Sequence, residues 1–143
     1  MISKEEMWRE FVEQYEIDVP EHLVKNEMEY ITMEMRHRMR YDTLTGGAPQ
    51  LFPDVELAAQ AEEMRKAAYF EAKSDLVMKA VLAEQNFTVT SEELEAEAVA
   101  IAERQNSTLE MVKRFFGEDL VILERAVREQ RAMDWVMEQR THQ

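Results

Sequence analysis

The sequence predicts an all-α fold, an elongated multi-helix domain with one long helical hairpin, and three observations carry that prediction. Only three glycines and three prolines occur in 143 residues, too few for the many tight turns of a β-sandwich or barrel. Apolar residues recur at helical spacing behind Ser or Thr residues that have a glutamate three positions later, the pattern of a capped amphipathic helix. Asp54 to Gln85 contains neither Pro nor Gly and is dominated by Ala, Glu, Lys and Met. Read as one helix, straight or kinked, it would be about 48 Å long at about 1.5 Å per residue. A globule of this chain length should be roughly 37 Å across, so such a helix would overrun it. At 45% hydrophobic the chain can build a core, and with no internal repeat or low-complexity segment residues 1–143 read as a single domain.

The elements follow in order. Ser3 with Glu6 opens a first helix from about Lys4 to Glu16, with Met7, Trp8, Phe11, Val12 and Tyr15 at helical intervals. Pro20 fits the first position of the second helix, where its missing N–H would be unpaired anyway, and Glu21 opposes the positive end of the helix dipole. Val24, Met28, Ile31, Met35 and Met39 form an apolar stripe along that helix, with Leu23 and Tyr30 flanking it. It ends near Thr43, because TGGAPQLFP, Thr45 to Pro53, supplies two glycines and two prolines. The long helix comes next, and its segment Leu76 to Leu82 is apolar on several faces and must be covered. NFTVT interrupts it, then Thr90 and Glu93 open a helix to about Gln105. Ser107 with Glu110 caps a short helix that Gly117 can end by taking up positive φ, and a final helix runs from about Glu118 to the last residues.

Charge and composition exclude several functions. Lys plus Arg number 17 against 30 Asp plus Glu, a net charge of −13 that repels phosphate backbones and anionic membrane surfaces. No apolar run is long enough to span a bilayer. MISKEEMW turns polar and acidic where a secretory signal needs an apolar stretch. With no cysteine there are no disulfides, thiol nucleophiles or thiolate metal sites. The reading is a cytoplasmic protein that binds neither nucleic acid nor membrane.

Few motifs point to chemistry. Glu34 and His37 form an ExxH pair, as in carboxylate-bridged di-metal bundles, but His22 and His142 have no glutamate three residues before them, so the set is incomplete. A solvated histidine beside arginines is the plainer reading. The GG at Gly46 lacks the lysine and hydroxyl residue of a phosphate loop, and GxSxG and HExxH do not occur. No cofactor and no catalytic residue is expected. RHRMR, Arg36 to Arg40, suits an acidic partner or RNA; more plainly, it reads as cations near a helix C-terminus, where the dipole favours them.

Methionine is the compositional anomaly, with eleven Met against ten Leu. Thioether side chains adapt to apolar partners of many shapes, although Met28, Met64 and Met78 also suit core gaps between helices. Met33 points away from the stripe, adjacent Phe115 and Phe116 diverge by about 100° on a helix, and Trp135 departs from the stripe of Leu123, Ala126, Met133 and Val136, so one face cannot bury them all. Dimer packing and client binding both explain the surplus.

IDVPEHLVKNEMEYITMEMRHRM resembles the helix of the bacterial trigger factor C-terminal domain that opens with an I-D-V-P-x-x-L-like start. The similarity continues through LFPDVELAAQAEEMRKAAYFEAKSDLVMKAVLAEQNFTVTSEELEAEAVAIAE, a layout shared with the peptide-binding domain of SurA. The resemblance implies a holdase that shelters unfolded or nascent polypeptides without ATP, with Pro20 starting the body helix and Gly46 to Phe52 turning between helices. No GFRxGKxP-like ribosome-docking loop and no stretch for an isomerase domain is present, so the chain is either a free-standing relative or a piece of a longer protein.

The function expected is capture of apolar segments in a Met- and Phe-lined concavity, whose acidic exterior favours basic clients and keeps the complex dispersed. Its candidate lining on the second helix and the turn after it is Met28, Ile31, Met35, Met39, Leu44 and Phe52. Phe70, Met111, Phe115, Phe116 and Trp135 complete it. Rival readings are a scaffold or adaptor whose apolar surface is a permanent homo- or hetero-oligomer interface, a homodimer included, and a metal-dependent enzyme using Glu34 and His37.

Overall fold

The computed structural model describes residues 2–47 and 52–141, and these are helical, without strands. The helices are α1 (Lys4–Gln14), α2 (Glu21–Leu44), α3 (Pro53–Ala59), α4 (Ala61–Gln85), α5 (Ser91–Arg104), α6 (Leu109–Phe116) and α7 (Glu124–Thr141), the last preceded by one 3₁₀ turn over Val121–Leu123. They fall into two compact units: a hairpin unit, Val12–Val77, and a terminal unit of Met1–Phe11 with Met78–Gln143. The all-α prediction holds.

Within the hairpin unit, α2 and the returning α3 and α4 run antiparallel. Glu21 at the start of α2 meets Arg65 at 2.9 Å, and Arg36 further along meets Asp54 at 2.6 Å, so rising numbers on one side pair with falling numbers on the other. The seam is thin. Val24 on α2 is buried against Ala68 and Ala72 on α4, with Val19, Leu23, Met28 and Ile31 packed around them. With alanine at both positions, α4 covers Val24 with methyl groups alone. Lys73 reaches the carbonyl of Glu13 at 3.2 Å and ties the start of the unit to α4.

Within the terminal unit, Leu94, Ala98 and Ala102 lie four residues apart on α5 and form the floor of a core closed by Val112, Leu120 and Leu123. Arg131 of α7 donates to the Thr88 carbonyl and to the Glu93 carboxylate, fixing the chain just before α5. The start of α1 is held to α7 by Lys4 and Asp134 at 2.7 Å, and further on by Arg140 and Glu10.

The capping chemistry sits where the sequence puts it in two of three cases. Ser3 and Glu6 exchange both capping-box bonds, at 3.2 and 3.3 Å, and Thr90 Oγ1 accepts from the Glu93 amide at 3.2 Å. The third cap is Thr108, not Ser107: its hydroxyl accepts from the Met111 amide at 3.3 Å. Asn106 takes up φ 54°, and the Ser107 amide turns back to the Ala102 carbonyl at 2.8 Å, which moves the new helix on by one residue. Gly117 ends α6 at φ 106° and ψ 152°, a region open essentially to glycine.

Three other expectations are corrected. Pro20 precedes α2 instead of opening it, because its φ of −59° is helical but its ψ of 138° is extended. The long helix is two helices, interrupted at Gln60, whose φ of −101° and ψ of 4° let its amide bond Leu57 at 3.2 Å, one residue tighter than an α-helix. The final helix begins at Glu124, six residues late. Leu120 is buried with φ 57°, and Asp119 Oδ1 accepts the Val121 amide at 3.3 Å. Burying a leucine is worth about 1.5–3 kcal/mol, enough to offset the roughly 1–2 kcal/mol of a left-handed residue. Val77 and Val81 are buried, as the apolar Leu76 to Leu82 segment requires.

Candidate functional site

The distal half of α2 is where the hairpin unit leaves apolar groups in solvent. Val24 is buried, Met28, Ile31, Met35 and Met39 are half-buried on the same stripe, and beyond them Leu44 is 79% exposed. Phe52, just before α3, is 71% exposed. The outward face adds Tyr30, Met33 and Tyr41, all exposed. Tyr30, Met33, Glu34, His37, Arg38 and Tyr41 border an open groove of about 530 Å³. A second groove of about 550 Å³ runs from Lys25 to Arg40 and shares Met33 and His37 with the first. These volumes match small-molecule pockets, but both grooves are walled by a single helix, so neither encloses a ligand. They suit a chain segment lying along α2.

The charges on this helix are not balanced locally. Arg36 is paired with Asp54, whereas Arg38 and Arg40 have no ion-pair partner among the described residues. α2 ends at Leu44, so its last turn holds no basic residue and Arg40 stands just before it. Two acidic features accompany it. Partial burial, then the charges of Asp75 and Glu71 on α4, push the Glu27 carboxyl above its ordinary range. A hydrogen bond to Glu34, helped by that carboxylate's charge, raises the Tyr30 phenol.

The terminal unit has its own exposed apolar groups. Phe115 is 82% and Ile122 67% exposed, and Met111 and Val121 are more than half exposed. Phe116 instead packs against the core, as Leu109 and Val127 do, and the rings of Phe115 and Phe116 meet edge to face at 4.9 Å. Trp135 is half-buried, edge-on to Phe11 at 6.2 Å, and Phe11 stacks on Trp8 at 5.9 Å. Ala132 and Val136 carry the inward stripe of α7, and Ala126 is exposed.

The candidate lining is thus divided. Met28, Ile31, Met35, Met39, Leu44, Phe52 and a half-buried Phe70 belong to the hairpin unit; Met111, Phe115, Phe116 and Trp135 belong to the terminal unit. Sequence reasoning set Tyr30 only at the flank of the stripe and passed over Tyr41, Val121 and Ile122. For the last two the misplaced start of the final helix hid the signal. Glu34 and His37 share one exposed groove, and among the described residues no group of three His, Cys, Asp or Glu is placed to hold a metal ion. His142 and the part of the expected turn from Ala48 to Leu51 lie outside the described residues. Among the described residues no helix is long and apolar enough to cross a membrane.

Comparison with known proteins gives a consistent result. The family described as bacterial trigger factor protein (TF) C-terminus matches residues 2–138. The trigger factor of Bacillus subtilis is 28% identical over 137 residues, covering 96% of this chain and 32% of the relative. That of Carboxydothermus hydrogenoformans is 26% identical over 141 residues, covering 96% and 33%. That of Treponema denticola is 27% identical over 121 residues, covering 81% and 26%. The chain therefore spans about a third of the length of these curated relatives. No solved structure matches.

Proposed function

The chain belongs to the family of the bacterial trigger factor C-terminus, and from that premise we propose that it binds unfolded or nascent polypeptide segments in the cytoplasm, without ATP and without catalysis. The observation that carries this reading is the set of large apolar side chains standing in solvent beside charged ones: Leu44 and Phe52 in one unit, Phe115 and Ile122 in the other. Large apolar side chains left in solvent are groups that a bound partner can cover. Flexible thioethers at Met33, Met35 and Met39 in the hairpin unit, and separately at Met111 in the terminal unit, can adapt to segments of many shapes, the property a binder of unfolded chains needs. A net charge of −13 keeps the loaded protein apart from its neighbours and draws in basic clients. This reading needs neither an isomerase nor a ribosome-docking module.

The same exposed side chains also suit a permanent interface, homodimeric or with one dedicated partner, and one experiment separates the two. A chemically denatured enzyme is diluted into buffer with the protein, and aggregation is followed by light scattering. A holdase suppresses scattering at near-stoichiometric ratios, and the Phe115→Asp/Ile122→Asp double variant suppresses it less while keeping its helical circular dichroism. Suppression that is absent in the native chain would remove the proposal in favour of the scaffold reading.

A further inference from the structure

The cations of the hairpin unit divide into two groups. Arg36, Arg65 and Lys66 each hold a carboxylate, and Lys73 donates to the Glu13 carbonyl. Lys25, Arg38 and Arg40 have no such partner among the described residues, and all three border the α2 grooves. No acid occurs between Met35 and Tyr41, in a chain that is otherwise strongly acidic. The same faces of α2 present Tyr30, Met33 and Tyr41 to solvent. Arg38 borders one of these grooves and Arg40 the other, so each groove sets an unpartnered arginine beside exposed apolar groups.

We propose that the distal half of α2 docks polypeptide segments in which carboxylates alternate with apolar or aromatic residues, with Arg38 and Arg40 taking the carboxylates and Tyr30, Met33 and Tyr41 the apolar groups. The inference rests on the holdase reading and gives one surface a charge preference opposite to that of the rest of the chain. Tyr30 to Tyr41 covers about 16 Å of helix, which about five residues of extended chain would match. Glu29, Glu34 and Asp42 are interspersed with the cations, which repels a continuous phosphate backbone but leaves room for a peptide whose carboxylates are spaced. Arginine offers a carboxylate two parallel donors, so the pairing is directional as well as electrostatic.

The test uses the full chain and three synthetic peptides with one shared Leu/Phe core, flanked by Asp, by Ser or by Lys, with affinities measured by titration calorimetry. Replacing both arginines, Arg38→Ser with Arg40→Ser, should weaken the Asp-flanked peptide about fivefold or more, since exposed ion pairs are each worth a factor of about two to five. The Lys-flanked peptide should bind as before, and Arg→Lys at both positions should restore part of the loss. Equal loss for all three peptides, or none for the Asp-flanked one, overturns the proposal. So does a single-stranded polyuridine that outcompetes the Asp-flanked peptide. If the native chain still suppresses aggregation in those cases, only this inference fails; if it does not, the holdase reading fails with it.

Discussion

Replacing Val24 by Ala tests the account of the hairpin unit most directly. Val24 is 1% exposed and faces Ala68 and Ala72, whose short side chains cannot swing in to fill a gap. Two methyl groups are lost. At about 0.8 kcal/mol per buried carbon the transfer loss is about 1.6 kcal/mol, and an incompletely collapsed cavity raises it to about 2–3 kcal/mol. Because every tenfold change in an equilibrium corresponds to about 1.4 kcal/mol, amides of α2 and α4 that exchange through opening of the hairpin should exchange about 30 to 150 times faster. Hydrogen exchange followed by mass spectrometry, with peptides covering Met28 to Met35 and Arg65 to Ala72, measures this. Met33→Ala serves as the control: its side chain is mostly in solvent, so its cost should stay within about 0.5 kcal/mol. If the two variants exchanged alike, the seam through Val24, Ala68 and Ala72 would not be what holds α2 to α4.

Two further outcomes are expected. Arg131→Ala should destabilise the terminal unit by about 1–3 kcal/mol in urea titrations, because Arg131 serves both Thr88 and Glu93; Arg131→Lys should recover only part of the loss, since a single ammonium lacks the guanidinium fork. Glu27→Gln should stabilise the hairpin unit at neutral pH by no more than about 0.5 kcal/mol. The sign follows from its raised carboxyl: above the raised value the charged form is disfavoured by burial and by Asp75 and Glu71, and the penalty is relieved as pH falls towards the ordinary 4.5. Thermal melts of both proteins should therefore differ at pH 7 and converge below that ordinary value.

How much of this was legible in the sequence depended on whether the signal was local. Ser3 with Glu6, Thr90 with Glu93 and the end of α6 at Gly117 were all readable, because each is a matter of a few neighbouring atoms. Ser107, with Glu110 three residues on, is by local sequence the better cap, and the left-handed turn at Asn106 overrides it in favour of Thr108. Leu120 was not readable at all: nothing in GEDLVIL announces that burying one leucine would delay a helix by six residues. Gln60 breaks α3 from α4 by tightening one hydrogen bond, which needs neither proline nor glycine. At the candidate site the α2 stripe was legible from spacing, but that Arg38 and Arg40 find no carboxylate among the described residues was not, because it depends on where the returning helices place their acids. Which apolar groups stay in solvent is decided by what the returning helices cover, and that is a tertiary property.

The division of the chain also divides its chromophores. Both tryptophans, Trp8 and Trp135, belong to the terminal unit, and the four tyrosines, Tyr15, Tyr30, Tyr41 and Tyr69, all belong to the hairpin unit. Intrinsic emission is thereby sorted by the fold: light absorbed at the red edge, by indole alone, interrogates one unit, and phenol emission interrogates the other. A titration recorded in both channels can assign an event to the hairpin unit or to the terminal unit with no label attached.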